Sequence, residues 1–311
     1  MNYRKLGRTD MLVSPVVLGT MATGGAFGKP DDDASIRTMR AMLDAGMNMI
    51  DTAQPYGMGH AEEIVGKAIK GRRDQVYIAT KCGTMREPGN PIPVRDASKE
   101  ALRRQVEGSL KRLDIDYIDL YQMHWPVYTT PFEESFTELA KLQKEGKIRY
   151  IGVSNFSDVQ LEELKQYCDV TTLQPPYSLV DRGIEAAILP YCEKNNIGTL
   201  TYGSIGGGVL SGKFPKERPT FDASDTRNEN GFYREIFSEG NWPRTVKVVE
   251  NLRLVAGNLG LPMVQVAIAW VLVRCTVALV GAKTPEQGLM NLKGADIELP
   301  LDAIAALNKV F

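Results

Sequence analysis

Short apolar runs alternate with helix-like stretches along nearly all of the 311 residues. The runs predicted as barrel strands are 16–20, 47–51, 76–81, 117–124, 148–154, 171–174, 199–202 and 277–280. Helix-like stretches follow at 36–46, 62–70, 102–113, 132–145, from about 158, at 185–195 and from about 285, and further helical segments precede the last strand. Eight successive strand-helix units predict an α/β fold, a closed (β/α)8 TIM barrel.

Two segments lie outside the repeat. Residues 4–6 and 11–14, joined through Gly7-Arg8-Thr9-Asp10, indicate an N-terminal β-hairpin within residues 1–15, which could plug the bottom of the barrel. Residues 214–241 follow the seventh strand and are rich in Pro, Asp, Asn and Gly, so we expect an irregular lid loop on the active face. Because we find no linker, we expect residues 1–311 to form a single domain.

The charge balance and the histidine and cysteine content narrow the function classes. With 37 basic and 38 acidic residues the net charge is −1, which argues against nucleic-acid or anionic-membrane partners. The first residues are unsuited to a signal peptide and the apolar run 266–273 is too short to cross a bilayer, so we expect a cytoplasmic protein. Two histidines and four widely spaced cysteines, Cys82, Cys168, Cys192 and Cys275, predict free thiols and no metal site.

Four polar residues lie at or just beyond the ends of successive predicted strands. They are Asp51, Tyr56, Lys81 and His124. A parallel barrel gathers its strand ends on one face, so we expect the four to share a pocket. We assign Tyr56 as the general acid, Lys81 as the cation that lowers its pKa, Asp51 as the anchor of Lys81, and His124 as the group that orients a carbonyl.

Each of these residues also has an ordinary structural explanation. A single aspartate at a strand end is often a cap, a lysine is usually solvated, and a histidine beside Trp125 is often packed in the core. Four matching residue types at consecutive strand ends favour the catalytic interpretation over these alternatives.

The motifs around the four residues resemble the aldo-keto reductase superfamily. The resemblance rests on Asp51 with Tyr56-Gly57, Thr80-Lys81, His124-Trp125-Pro126, residues 146–156, and Gln174 with Tyr177. It runs from about Tyr3 to the C-terminus. It implies an eight-stranded barrel with an N-terminal hairpin, which reduces aldehydes or ketones with a nicotinamide cofactor, usually NADPH. The substrate contacts it implies are Tyr56, His124 and Trp125, and the pocket wall would include Met21.

The resemblance also supplies candidate cofactor contacts, since a Gly-x-Gly-x-x-Gly motif of a Rossmann domain is absent. Ser154, Asn155 and Gln174 would bind the nicotinamide carboxamide, and the ring would stack on Tyr202. Lys283 would meet a 2′-phosphate, which favours NADP(H), and Gln287 and Asn291 would contact adenine. The remaining predicted contacts are Gly19, Thr20, Met21, Asp51, Gly203, Ser204, Ile205, Gly208, Leu210, Gly212, Lys213, Gly281 and Ala282.

The glycine-rich run 203–213 after the seventh strand predicts backbone N–H groups that approach phosphate oxygens. Gly207 and Gly212-Lys213 have the spacing of a P-loop, but Phe214 stands where magnesium binding needs Ser or Thr, so we reject that alternative. Members of the resembling family usually carry Pro at the position of Ser204, which leaves the loop conformation open.

Two other functions remain open at this point. Lys81 could act as a Schiff-base nucleophile in a class I aldolase or related lyase. Alternatively, the fold could serve as a non-catalytic NADPH-binding regulatory subunit. The carbonyl substrate, the physiological direction and the oligomeric state do not follow from the sequence.

Overall fold

The computed structural model describes residues 1–87, 89–90, 93–223, 225–229 and 231–310. Within them the strands are β1 (Arg4–Lys5), β2 (Leu12–Val13), β3 (Val16–Gly19), β4 (Met49–Asp51), β5 (Tyr77–Cys82), β6 (Thr84–Met85), β7 (Val94–Arg95), β8 (Ile118–Met123), β9 (Ile148–Ser154), β10 (Val170–Gln174), β11 (Gly198–Thr201) and β12 (Val277–Val280). Eight of these form a closed barrel in the order β3-β4-β5-β8-β9-β10-β11-β12, in which β12 pairs in parallel with β3. The predicted (β/α)8 barrel is confirmed.

Helices surround the barrel. They are α1 (Asp32–Asp44), α2 (His60–Ile69), α3 (Lys99–Leu113), α4 (Phe132–Lys144), α5 (Asp158–Leu164), α6 (Ile188–Asn195), α7 (Thr226–Glu229), α8 (Gly231–Ile236), α9 (Trp242–Leu259), α10 (Met263–Leu272), α11 (Pro285–Leu292) and α12 (Leu301–Asn308). Local sequence sets several boundaries: the Asp31 carboxylate accepts a hydrogen bond from Ala34 N at 2.9 Å, and Ser157 with Gln160 forms a capping box on α5. Gly260 ends α9 in the left-handed conformation.

The N-terminal hairpin lies against the amino-terminal ends of the barrel strands. β1 and β2 pair antiparallel, and the buried side chains of Leu6, Met11 and Val13 join the apolar cluster inside the barrel. Gly7 has a φ of +56°, and a Cβ there would lie 2.3 Å from the backbone nitrogen of Gly198, the first residue of β11. Only glycine allows this close approach between the hairpin turn and the barrel.

The segment predicted as a lid loop differs in part from the expectation. Residues 214–241 include the short helices α7 and α8, so an entirely irregular segment was wrong. Residues 224 and 230 of that segment, and residue 311 of the predicted domain, lie outside the described residues. The sequence analysis also missed the antiparallel pair β6–β7 that follows β5.

No single helix among the described residues is long and apolar enough to cross a bilayer. The pair α9 and α10 meets the criterion only jointly, by length and composition, with a bend of 98° between them.

Candidate active site

Three neighbouring strands place the acid, the amine and the imidazole side by side. Asp51 is the last residue of β4, and Lys81 lies one residue before the end of β5. Lys81 pairs in register with Gln122 of β8, and His124 is the first residue after that strand. The carboxyl ends of β4, β5 and β8 therefore meet at one edge of the barrel.

The Asp51 carboxylate is the centre of a buried hydrogen-bond network. Its Oδ1 accepts from Lys81 Nζ at 2.6 Å, and both side chains are almost fully buried. Its Oδ2 accepts from the amides of Gln122 at 3.1 Å and Gln174 at 2.9 Å. Lys81 also donates to the backbone oxygen of Thr52 at 3.0 Å. With both carboxylate oxygens bonded, the ion pair is fixed in position.

Tyr56 lies in the loop after β4, with its ring beside the ammonium group. Lys81 Nζ is 5.2 Å from the ring centroid. A Cβ on Gly24 would come within 2.5 Å of the Tyr56 backbone, so the β3–α1 loop packs tightly on this turn. Burial raises the pKa of Tyr56, and the Asp51 carboxylate adds to the rise. The expectation of a lowered Tyr56 pKa was wrong, because burial and the Asp51 carboxylate raise it. Tyr56 is therefore a protonated phenol at neutral pH.

His124 is a neutral imidazole next to Tyr56. The two ring centroids are 6.2 Å apart with an interplanar angle of 84°. Burial lowers the pKa of His124 well below its ordinary value, and the charges of Lys81 and Arg95 contribute. The buried Nδ1 has no hydrogen-bond partner among the described residues. A neutral imidazole keeps one N–H donor and one acceptor, so it can bind and orient a substrate oxygen.

Ser154, Asn155 and Tyr202 form a connected polar group beside the imidazole. The amide of Asn155 donates to His124 O and to Ser154 Oγ, each at 3.0 Å, and its Oδ1 accepts from the Tyr202 hydroxyl at 2.9 Å. Asn155 adopts a φ of +64°, which asparagine tolerates better than most residues. The Tyr202 ring also contacts Phe232 of α8, with the centroids 5.3 Å apart. The strand ends thus place a phenol ring and an amide next to the catalytic candidates.

The end of β3 adjoins the same network. Gly19 pairs in register with Asp51, and both the backbone nitrogen and the hydroxyl of Thr20 donate to Asp51 O, at 3.0 and 3.1 Å. Met21 packs on the apolar core as a partly buried residue. Gly19 and Thr20 are therefore joined directly to the backbone of Asp51.

Three cations lie close together. Lys283 Nζ donates to Phe27 O at 2.5 Å, and the Arg227 guanidinium lies 5.5 Å from the Phe27 ring centroid. Burial lowers the pKa of Lys213, and the charges of Arg227 and Lys283 lower it further, with Asp225 acting in opposition. Asp225 pairs with Arg227 at 2.5 Å. An anionic ligand here would relieve the mutual repulsion of the cations, which makes this group a candidate phosphate site.

The comparisons with known proteins agree with this geometry. The model of the Aldo/keto reductase family matches residues 15–311. The chain belongs to the aldo/keto reductase family. As a member it is an oxidoreductase that acts on carbonyl compounds with a nicotinamide cofactor.

Individual relatives cover nearly all of this aldo/keto reductase. The aldo-keto reductase YhdN of Bacillus subtilis is 42% identical over 293 residues, which are 92% of this chain and 86% of the relative. The NADH-specific methylglyoxal reductase of Escherichia coli is 34% identical, with 97% and 95% covered. Among solved structures, the glycerol dehydrogenase of Gluconobacter oxydans has a TM-score of 0.88 at 38% identity, with 99% and 94% covered.

Several backbone N–H groups of the glycine-rich loop in this reductase are bonded within the loop itself. The backbone N–H groups of Gly208, Leu210 and Gly212 donate to carbonyls within the loop, at 3.0 to 3.2 Å, and are not free for an external oxygen. The Leu210 side chain is fully buried and the Ser204 hydroxyl donates to Thr201 O at 2.8 Å. The turns around Gly206–Ser211 thus bind these three N–H groups internally, and contact of the rest of the run with phosphate oxygens stays a prediction.

The remaining predicted contacts lie either around Ala282 or against Phe232 and the core. Gln287 Oε1 accepts from Lys283 N at 2.9 Å, and the buried Asn291 amide donates to Gly281 O at 3.2 Å, so both shape the segment around Ala282. By contrast, Gly203 lies directly against Phe232, since a Cβ there would be 2.5 Å from that ring. Ile205 packs on the core as a partly buried residue.

Sequence reasoning missed two side chains that the fold brings to this site. Gln122 could have been found, because it lies two residues before His124 on β8 and thus shares its side of the strand. Arg227 lies in the predicted lid, where no periodic pattern indicates the direction of a side chain. Within the described residues, moreover, no cluster of three or more His, Cys, Asp or Glu side chains is arranged to hold a metal ion.

Proposed function

We propose that this aldo/keto reductase reduces an aldehyde or ketone to an alcohol, reversibly, with NADPH as the cofactor and Tyr56 as the proton donor. The observation that carries the proposal is the position of the Tyr56 ring next to both a buried ammonium and a neutral imidazole. Lys81 Nζ is 5.2 Å from the ring centroid, and the imidazole centroid of His124 is 6.2 Å away. This arrangement suits proton transfer to an oxygen bound between Tyr56 and His124.

The described residues fit a dinucleotide phosphate. Lys213, Arg227 and Lys283 present positive charge close together. Burial and then the charges of Arg227 and Lys283 lower the pKa of Lys213, and an anion between the three would offset the repulsion. Tyr202 offers an aromatic face beside His124 and Asn155. When bound, the cofactor supplies the hydride for the carbonyl carbon.

The protein's own residues then handle the oxygen and the proton. His124, held neutral, donates a hydrogen bond that orients the carbonyl oxygen. Tyr56 keeps its proton at neutral pH because its pKa is raised, and it releases that proton to the oxygen as negative charge develops there. The resulting phenolate is stabilised by the Lys81 ammonium, which Asp51 holds in place at 2.6 Å.

Replacement of Tyr56 by Phe tests this assignment. We expect kcat for carbonyl reduction to fall by about 10³-fold, because the general acid is removed. Binding of NADPH, measured by fluorescence titration, should remain close to that of the unchanged protein. Wild-type turnover in the Tyr56→Phe variant would exclude Tyr56 as the acid.

The choice of NADPH over NADH rests on Lys283 and its neighbouring cations. The Escherichia coli relative is named as NADH-specific, so the two cofactors should be compared directly. We expect Lys283→Met to weaken NADPH binding about tenfold and NADH binding much less, since one charge-assisted hydrogen bond to a phosphate is lost. The exposed Lys247 of α9 provides the matched control, Lys247→Met. Equal losses for both cofactors would contradict a 2′-phosphate contact.

Two alternative functions predict different experimental results. A Schiff-base lyase requires a neutral amine, whereas Lys81 is ion-paired with Asp51 and also donates to Thr52 O, so borohydride should trap no substrate on it. A non-catalytic regulatory subunit would bind NADPH without oxidising it in a broad screen of aldehydes, ketones and sugars.

A further inference from the structure

An arginine lies beside Trp125, which the sequence predicts as a substrate contact. Arg95 on β7 is exposed, and its guanidinium carbon is 5.2 Å from the ring centroid of Trp125, the residue that follows His124. Stacking on an indole orders a guanidinium but leaves its N–H donors available. Among the residues that the structure describes, no carboxylate forms an ion pair with Arg95.

The backbone that carries Arg95 is fixed to the catalytic loop. Gln54, two residues before Tyr56, exchanges two hydrogen bonds with the backbone of Arg86 on the same hairpin, at 3.0 and 3.2 Å. On the other strand, Asp96 N donates to Gly83 O at 3.2 Å. The hairpin therefore has a defined position relative to Tyr56, and the stacked guanidinium has a defined position above Trp125.

Arg95 is also close enough to the imidazole to act on it electrostatically. Its charge, together with that of Lys81, lowers the pKa of His124. Lys81 has Asp51 as its counter-ion at 2.6 Å, but the guanidinium of Arg95 has no such partner among the described residues. The charge of Arg95 thus lies close to the imidazole and is not neutralised by a described carboxylate.

We propose that Arg95 determines substrate specificity by binding an anionic group, a carboxylate or a phosphate, on the carbonyl compound that Tyr56 and His124 reduce. The proposal rests on the proposed function, and it names the substrate class as aldehydes or ketones with a negatively charged substituent. The planar guanidinium can donate two parallel hydrogen bonds to either group, which a neutral side chain cannot.

Matched substrate pairs test the proposal on the full-length protein. Succinic semialdehyde is compared with butanal, and glyceraldehyde 3-phosphate with glyceraldehyde, so that the carboxylate and the phosphate are separated. For the preferred anion we expect Arg95→Met to lower kcat/KM about tenfold, mainly through KM, because one charge-assisted interaction is lost. The kcat/KM for the neutral substrate of each pair should change by no more than about twofold. Arg95→Lys keeps the positive charge but not the planar pair of donors. Its kcat/KM for the anionic substrate should lie between those of wild type and Arg95→Met.

The control is Arg86→Met, which removes an exposed arginine side chain from the same hairpin. It should leave the preference for the anionic substrate intact. Equal loss on charged and neutral substrates in Arg95→Met, or no loss on either, would overturn the proposal.

A binding measurement separates this inference from the proposed function. If the wild-type protein reduces neither neutral nor charged carbonyls, the proposed function fails. Calorimetric titrations with 4-hydroxybutyrate and with glycerol 3-phosphate then still decide on Arg95. Tighter binding of either compound to wild type than to Arg95→Met supports the anion contact, and equal or absent binding of both overturns it.

Discussion

Two buried carboxylates at opposite ends of the barrel illustrate how the same residue type serves stability or chemistry. Asp119, near the start of β8, accepts from Arg73 at 2.7 Å, Arg149 at 3.0 Å and the backbone nitrogen of Ile78 at 2.9 Å. Arg149 in turn pairs with Asp10 in the N-terminal hairpin at 3.0 Å. This network joins the hairpin to the barrel, and its cations are guanidiniums that stay charged.

Asp51 at the other end is just as well bonded, but its surroundings differ. Its cationic partner is one lysine, its other partners are neutral amides, and the next groups are the phenol of Tyr56 and the imidazole of His124. Both of these have shifted pKa values, and the imidazole has a buried nitrogen without a partner among the described residues. Neighbours with strongly shifted pKa values mark the end of the barrel that acts on a ligand.

Removal of the lysine should have the largest effect. In Lys81→Met the developing phenolate loses its cation, so we expect kcat to fall by about 10³-fold. The variant also leaves Asp51 without its counter-ion, which should lower the free energy of unfolding by about 3 kcal/mol. Steady-state kinetics on protein shown to be folded by circular dichroism, with denaturant unfolding alongside, give both values. An unchanged kcat would mean that the Asp51–Lys81 pair, like the Asp119 network, serves only stability.

The matching change at the other end should separate stability from chemistry. Asp119→Asn leaves Arg73 and Arg149 without a buried anion, so we expect the free energy of unfolding to fall by about 3 kcal/mol. The catalytic residues are untouched, and kcat per folded molecule should stay within about twofold of wild type. A large loss of kcat in folded protein would show that the lower network also controls the catalytic end.

The smallest expected effect is the pH dependence of stability that arises from His124. Because its pKa in the folded protein lies well below the ordinary value, the unfolded chain takes up the proton first as the pH falls. Stability from this group is therefore lost below about pH 6.5, by about 1 kcal/mol at pH 5.5. Urea unfolding at pH 7 and 5.5 should show a smaller drop for His124→Asn than for wild type. The control His60→Asn replaces the chain's other histidine, and an identical pH response in both variants would contradict this origin.

The sequence predicted those features that depend on regular spacing. The period of the strands placed Asp51, Lys81 and His124 on one face, and the bounds of β9 and β12 agree with the predicted ranges. The hairpin β6–β7 was not found, because residues 86–93 separate its two short strands, whereas the turn Gly7-Arg8-Thr9-Asp10 marks the equally short β1–β2 pair in the sequence.

Features that depend on three-dimensional packing could not be predicted from the sequence. The pKa of Tyr56 rises because the β3–α1 loop and the barrel bury its ring, and no local pattern reports that burial. The conformation of the glycine-rich loop depends on packing for a related reason. The same glycines that permit approach to a phosphate also permit positive φ, and here Gly206, Gly207 and Gly208 all adopt such values, so the segment departs from regular helical geometry.

The hairpin under the barrel also affects the order in which the chain can fold. Arg4 donates to the backbone oxygens of Leu272 and Cys275, which lie 268 and 271 residues further along. During synthesis the N-terminal strands therefore emerge long before the residues that anchor them. Until then the apolar side chains of the hairpin have no permanent site, so nascent chains should be protease-sensitive at the N-terminus until α10 has been made.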